Sequence, residues 1–504
     1  MTTLLGLSHE LLHCVFTEVE PTDLAALSRT CHSLHAYIKG NRLLHKDLYL
    51  RRYDEPKLLD EPDWEELIHK TARLERILQS EDKEVKSENL GFVSEQVDHL
   101  LQTACTDVDE SANVQLLSDY FADQDNIDVF LCSSSLFRTA GTKDQQAAPT
   151  QALQQASAKL HCLYGKPVDP VPSKRSSASY SMTAFFTLRR IDTGSPSSNT
   201  RAQNRGIPAH TVARSKVYDL REYTDGSIWG PFMSDGSQNV DWEKVEAIML
   251  VLGFNLADFT ERSDGRFPLL WDRPFDGVTP QSYVSPQISA SDDSEMEESD
   301  SSIPKELTPS LDDRDPYGVT GTWMRVVCFL DYNDLYAFNF SNPELPAEQA
   351  REPIDTQEAI RLISIKLQVT RIDPPGSADE DEEEDGMDWS QFKGERLPIV
   401  HFRGSSRSLH ASWDPNANSQ IRGTVRQTPQ GEIRWTTFSI FHGEERWRSE
   451  GIQVGGLRSA RGVLGNWFDK DYDMHGPAGP TAFWKITDWL GAEKSSSSTP
   501  VAYF

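Results

Sequence analysis

From Gly321 onward the chain keeps alternating apolar and polar residues in short runs separated by Gly-rich turns, a period of two that helices cannot satisfy. The candidate strands are Trp323–Leu330, Leu335–Phe340, Ile363–Ile372, Leu397–Phe402, Ile421–Arg426, Ile433–Phe441, Trp447–Val454, Val463–Phe468 and Phe483–Thr487. Thr428 to Gly431 would join the fifth and sixth, and Gly443-Glu444 would turn the chain into the seventh. So many short alternating strands in succession point to an antiparallel barrel, with a sandwich as the alternative.

The N-terminal third follows a different period. Leu11, Leu12, Val15, Phe16 and Val19 recur at helical spacing behind Ser8, a residue suited to cap a helix, and Pro21 and Thr22 restart the chain. Leu24, Leu27, Cys31, Leu34 and Ile38 form the stripe of a second helix that carries Asp23 in its first turn and stops at Gly40-Asn41. Leu43, Leu44, Leu48 and Leu50 suggest a third, so residues 4–53 read as a trihelical unit too small to cover its own apolar surface. From Trp64 to about Tyr164 the helical pattern continues, as a spacer of several helices.

These readings divide the chain at its changes of composition. The expected units are 1–53, a helical linker at 54–170, a flexible basic loop at 171–216, and an aromatic-rich segment at 217–284 that packs on the β domain. An acidic disordered loop at 285–316, the barrel at 317–490 with an acidic insertion at 375–390, and a tail at 491–504 complete the α+β chain. Within 217–284, Val245, Ile248, Met249 and Leu252 mark an apolar helix after the Asp235-Gly236 turn.

Charge excludes one broad class of partner. The 504 residues hold 50 Lys and Arg against 78 Asp and Glu, a net charge of -28, which repels a phosphate backbone, so no nucleic-acid partner is expected. Six acids among residues 292–300 and seven in a row at 379–385 supply nearly half of that excess, so it describes two insertions and not a binding surface. Ser294 and Ser377 each precede an acid by three residues and suit an acidic-directed kinase. The six cysteines include no Cys-x-x-Cys pair, which argues against a zinc knuckle or disulfide framework and for a reducing compartment, cytoplasmic or nuclear. No secretory signal and no apolar run of bilayer length is present, so no membrane partner is expected.

Catalytic layouts are missing too. The sequence has no Gly-x-Ser-x-Gly elbow, no His-Glu-x-x-His helix, no P-loop and no Gly-x-Gly-x-x-Gly turn. Asp469, Asp471 and Asp473 alternate like the start of a calcium loop, but Met474 stands where that loop needs glycine, and no metal spacing links His401, His410 and His442. The expectation is a non-catalytic protein without metal or cofactor.

Two resemblances give these units a role. Leu7-Ser8-His9-Glu10-Leu11-Leu12, Val15-Phe16, Asp23-Leu24, Leu27, Cys31, Leu34 and Ile38 resemble an F-box, with Ser8 where that family usually has proline. The resemblance implies that Leu7, Ser8, Leu11, Leu12, Val15, Phe16, Leu24, Leu27, Cys31 and Leu34 serve a Skp-family adaptor and, through it, a cullin. Gly318-Val319-Thr320-Gly321-Thr322-Trp323, Arg461 to Asp471 and Phe483-Trp484-Lys485 are similar to the β-barrel of the F-box only protein 31 family and its fungal relatives, which implies a receptor for a client protein's C-terminal tail. Trp323, Arg403, Trp467 and Trp484 are the expected pocket walls, since aromatic rings and Arg dominate recognition energy. Two other functions stay open. One is an adaptor-binding protein outside any ligase; the other is a small-molecule barrel, because Gly321-Thr322-Trp323 also resembles the opening of lipocalin-like barrels.

Overall fold

The computed structural model describes residues 4–56, 62–104, 111–141, 147–168, 207–263, 271–277, 310–341, 345–346, 349–376, 389, 392, 394–409 and 418–490. Residues 171–206, both acidic runs, Ser294, Ser377, His410 and the tail 491–504 lie outside them.

The N-terminal unit has four helices where three were expected: α1 His9–Phe16, α2 Pro21–Ser28, α3 His32–Ile38 and α4 Arg42–Leu50. Ser8 caps α1 through the Leu11 N–H, as its residue type favours. The expected second helix breaks between Ser28 and His32. There the Ser28 and Thr30 hydroxyls donate back to the Ala25 and Leu27 carbonyls, at 2.8 and 2.7 Å, and Cys31 adopts an extended backbone. Such local bonds compete with continued helix, so an apolar stripe that runs on does not guarantee one rod.

Helices continue from α5, Trp64–Leu78, through Gln151–Tyr164, with Asp63, Asp82, Ser111 and Thr150 capping four of their N-termini. The stretch 209–216, the end of the expected basic loop, is instead part of the helix Ala209–Val217. Helix Trp242–Arg262 is apolar around most of its circumference, and all twelve residues from Trp242 to Gly253 are buried. It packs on Gln151–Tyr164 and Ala209–Val217 and also on four strands of the β domain, as expected of a helix without a polar face.

The β domain is a closed antiparallel barrel, which removes the sandwich alternative. Its strands are β1 Gly321–Phe329, β2 Ala359–Asp373, β3 Ile399–Ser408, β4 Asn418–Gln427, β5 Ile433–Phe441, β6 Glu444–Gln453, β7 Val463–Asp469 and β8 Ala478–Thr487. Each pairs with the next and β8 closes on β1, so no edge strand is left to recruit another chain. β5 and β6 are joined by His442 and Gly443, both at positive φ, which matches the twist of a two-residue hairpin. The candidate strand Leu335–Phe340 is a helix, Tyr332–Phe340, because the Asp331 carboxylate caps Asn333 and Leu335 and Asn339 face inward one turn apart. Residues 310–316, expected in the acidic loop, instead lead into the first strand at the filled end of the barrel. The buried Asp315 carboxylate there accepts the Tyr317 and Val319 N–H groups at 2.8 and 2.6 Å.

Strand alternation separates two cores. Trp323, Phe402, Trp435 and Phe483 point into the barrel, whereas Val326, Cys328, Leu464 and Trp484 point outward into the core shared with the helices. Also on the outer face, the buried Glu450 carboxylate accepts from Arg434 Nε and Arg448 Nε at 2.9 and 2.8 Å. Burial pushes its pKa up, but the two guanidinium groups outweigh burial and hold it below the usual carboxylate value. A carboxyl depressed on folding contributes stability above its unfolded pKa and loses it as the pH falls through its folded one. Wild-type protein is therefore expected to unfold progressively more easily below about pH 4. Urea midpoints measured against pH should show its advantage over Glu450→Gln narrowing through that range.

Candidate functional site

Two surfaces can meet a partner. On the N-terminal unit, Leu12, Phe16, Leu24 and Leu34 are buried, and Leu7, Leu27 and Cys31 are half-buried against the same core. Ser8, Leu11 and Val15 are exposed, Leu11 by 54% and Val15 by 43% of their surfaces. Leu11 and Val15 are four residues apart and share one face of α1. That helix is pinned by His13 Nε2 to Asp47 of α4 at 2.7 Å and by Tyr37 Oη, which donates to the His9 carbonyl at 3.3 Å. Arg52 and Tyr53 both donate to the buried Glu75 of α5, so the unit is seated on the helices that follow. Leu11 and Val15 thus leave an apolar face in water on a helix held in place by its neighbours.

The second surface is the barrel lumen, whose two halves differ in side-chain size. At the end where β1 starts and β8 finishes, Trp323, Phe402, Val425, Trp435, Val463 and Phe483 fill the interior. Trp435 lies 5.1 Å from Trp323 and 5.4 Å from Phe483, ring centre to ring centre. Further along the same inward faces the residues become small: Gly404, Ser406 and Ser408 on β3, Gly423 and Ser419 on β4, Thr437 and Ser439 on β5. Gly451 and Ser449 on β6, Gly465 on β7 and Thr481 on β8 continue that lining. Eight strands enclose just enough space for side chains to fill, and the space over two of these glycines is taken from the filled half: a Cβ at Gly423 would meet the Phe402 ring at 2.5 Å, and one at Gly451 the Val463 side chain at 2.9 Å.

Arg325 lies in this small-residue half. It follows Trp323 by two on β1 and so faces inward; Nε donates to Thr481 Oγ1 at 3.0 Å, and Nη2 donates to Ser449 Oγ. To reach Ser449 on β6 the side chain crosses β8 and β7, where Gly465 has no side chain in the way. No carboxylate pairs with it among the described residues, and burial alone pulls its pKa down to about 10. Beside Ser449, the Thr437 hydroxyl is buried without a hydrogen-bond partner. Trp447 and Trp467, 5.3 Å apart, stand half-buried at the end opposite Trp323.

Of the four expected pocket walls, the structure brings only two to the lumen. Trp323 lies in its filled half, with Nε1 donating to the Val319 carbonyl at 3.0 Å, and Trp467 stands at the opposite end. Arg403 is exposed on the outer face, one residue out of phase with the inward Phe402. Trp484 also faces outward, buried against Trp271. Both placements have one cause, since successive residues of a strand point to opposite sides. Arg325 and Trp447 were missed. The signal for Arg325 was available in its offset of two from Trp323.

Residues 4–46 match the F-box domain family. No curated protein and no solved structure matches the chain. Among the described residues no helix is long and apolar enough to cross a membrane, and no group of three or more His, Cys, Asp or Glu side chains could hold a metal ion.

Proposed function

We propose that this chain, which carries an F-box domain at residues 4–46, is the client-receiving subunit of a Skp-cullin-F-box ubiquitin ligase. In this reading the F-box binds a Skp-family adaptor and, through it, a cullin. The barrel lumen takes part of a client protein. Acceleration would come from holding the client near the ubiquitin-charged enzyme, which raises effective concentration and asks for no bond-making group on this chain.

The observation that carries the reading is the exposed pair Leu11 and Val15 on the F-box, an apolar face that a Skp-family adaptor would cover. Placing carboxylates there leaves the interior residues Leu12 and Phe16 untouched. The double variant Leu11→Asp with Val15→Asp is therefore expected to bind an immobilised Skp-family adaptor at least tenfold more weakly, with an unchanged unfolding midpoint. Failure of the unaltered chain to bind any Skp-family adaptor would end the proposal. Capture of the adaptor without a cullin, in extract that contains both, would favour an adaptor-binding role outside a ligase.

A further inference from the structure

We propose that the outer face of β2 and β3 is a docking strip for an extended acidic segment of another protein, gripped by Lys366, Arg403 and Arg407. All three are exposed, because each follows an inward residue by one: Ile365, Phe402 and Ser406. Elsewhere on the outer wall of the barrel, cations hold acids. Arg371 meets Asp373 at 3.1 Å, Arg422 meets Glu445 at 3.0 Å, and Arg434 and Arg448 share Glu450. Lys366, Arg403 and Arg407 have no acid partner among the described residues. Three cations left side by side repel one another, so the strip favours an anion on a chain whose net charge is -28.

Spacing selects the form of the guest. Lys366 lies directly across from Ser405, midway between Arg403 and Arg407, so each arginine is its diagonal neighbour, about 7–8 Å away. Along the strands the three cations succeed one another every two residues, roughly 6.6 Å. An extended peptide repeats the side chains of one face at the same interval, so acids at alternate positions would meet Arg403, Lys366 and Arg407 in turn. Beside the cations stand Gln368, Ser405 and Gln420, exposed and uncharged, which can hydrogen-bond a peptide without repelling its acids. None of these six side chains is an aromatic ring on which a base could stack, which favours protein over nucleic acid. The chain's own acidic run at 379–385 joins β2 to β3 at the far end, by Ile399, about 26 Å along β3 from Arg407. A loop of that length reaches Arg407 only when fully stretched, whereas a segment of another protein can lie along the whole strip.

The test follows dye-labelled peptides of about nine residues by fluorescence anisotropy as the full chain is added. One peptide alternates glutamate with threonine, a second holds the same residues with its glutamates in one block, and a third has glutamine for every glutamate. At about 50 mM salt the alternating peptide is expected to bind about tenfold more tightly than the glutamine peptide, since three exposed ion pairs contribute up to a few-fold each. It should also bind several-fold more tightly than the block, and about 0.5 M salt should remove most of both differences. Lys366→Gln with Arg403→Gln and Arg407→Gln should abolish the preference for glutamate at an unchanged unfolding midpoint, because all three positions are exposed. Arg76→Gln with Arg138→Gln and Arg314→Gln removes as much charge from exposed positions elsewhere and should leave binding within about threefold. Equal binding of the alternating and block peptides, equal loss in the two triple variants, or no binding tighter than about 1 mM overturns the strip. Tighter binding of a single-stranded RNA of about 20 nucleotides, lost in the first variant, would overturn a protein partner in favour of nucleic acid. Peptide binding that appears only after the acids at 292–300 and 379–385 are changed to their amides would overturn it in favour of the chain's own acids. None of these readouts involves a Skp-family adaptor, so the strip and the ligase reading stand or fall separately.

Discussion

Replacing Glu358 with alanine is expected to lower the free energy of unfolding by about 3–5 kcal/mol, the range seen when one partner of a buried ion pair is removed. Its carboxylate accepts from Arg214 Nε at 2.7 Å, from Asn255 Nδ2 at 2.7 Å and from the Tyr218 hydroxyl. All three donors are buried, and burial together with the Glu358 charge pushes the Tyr218 phenol well up, so they cannot turn to water when the acceptor is lost. The residue is also where the halves of the molecule meet. Arg214 sits on helix Ala209–Val217, Asn255 on the long buried helix, and Glu358 immediately before β2. Urea unfolding followed by tryptophan fluorescence should show the full loss for Glu358→Ala. Glu358→Gln, which keeps one acceptor oxygen, should lose less. Loss below about 1 kcal/mol for alanine would mean that water or a shifted side chain takes over the acceptor's role.

Trp435→Ala should cost a similar amount, about 3–5 kcal/mol, through the cavity it opens in the filled half of the barrel. Its ring meets Trp323, Phe402 and Phe483, so four aromatic rings support one another across the lumen. The indole Nε1 also donates to Gln453 Oε1 at 3.0 Å, and alanine leaves that oxygen without its donor in the interior. Trp435→Phe retains most of the volume and loses only the hydrogen bond, so its cost should lie well below that of alanine. The ranking Ala above Phe, read from urea midpoints, separates packing from hydrogen bonding at this position.

The barrel strands were legible because alternation and turn residues agree. Ile433–Phe441 matches β5 residue for residue, bounded by Gly431 on one side and by His442-Gly443 on the other. Leu335–Phe340 misled because Tyr and Phe at alternate positions look like strand, while the decisive feature, the Asp331 cap, is one side chain upstream. The break after Ser28 escaped for a related reason: hydroxyl groups bonding backward leave no mark on apolar periodicity.

Which barrel residues point into the lumen was harder to read. On β8 both Phe483 and Trp484 are large and buried, the first inside the barrel and the second beneath the helices, so size alone assigns neither. Counting by two from Trp323 would have favoured Arg325, and counting from Phe402 would have rejected Arg403. A charged residue in a strand nonetheless reads by default as solvent-facing.

Helix Trp242–Arg262 also sets a timetable for synthesis. The helices that cover one of its sides precede or include it in the chain, but its other side rests on strands that close only when β8, ending at Thr487, has been made. At ordinary elongation rates that interval lasts roughly 10–45 s, during which a greasy rod waits on the ribosome without its second cover. Holdase chaperones would find their target there, and slow codons between this helix and the last strand would lengthen the hazard.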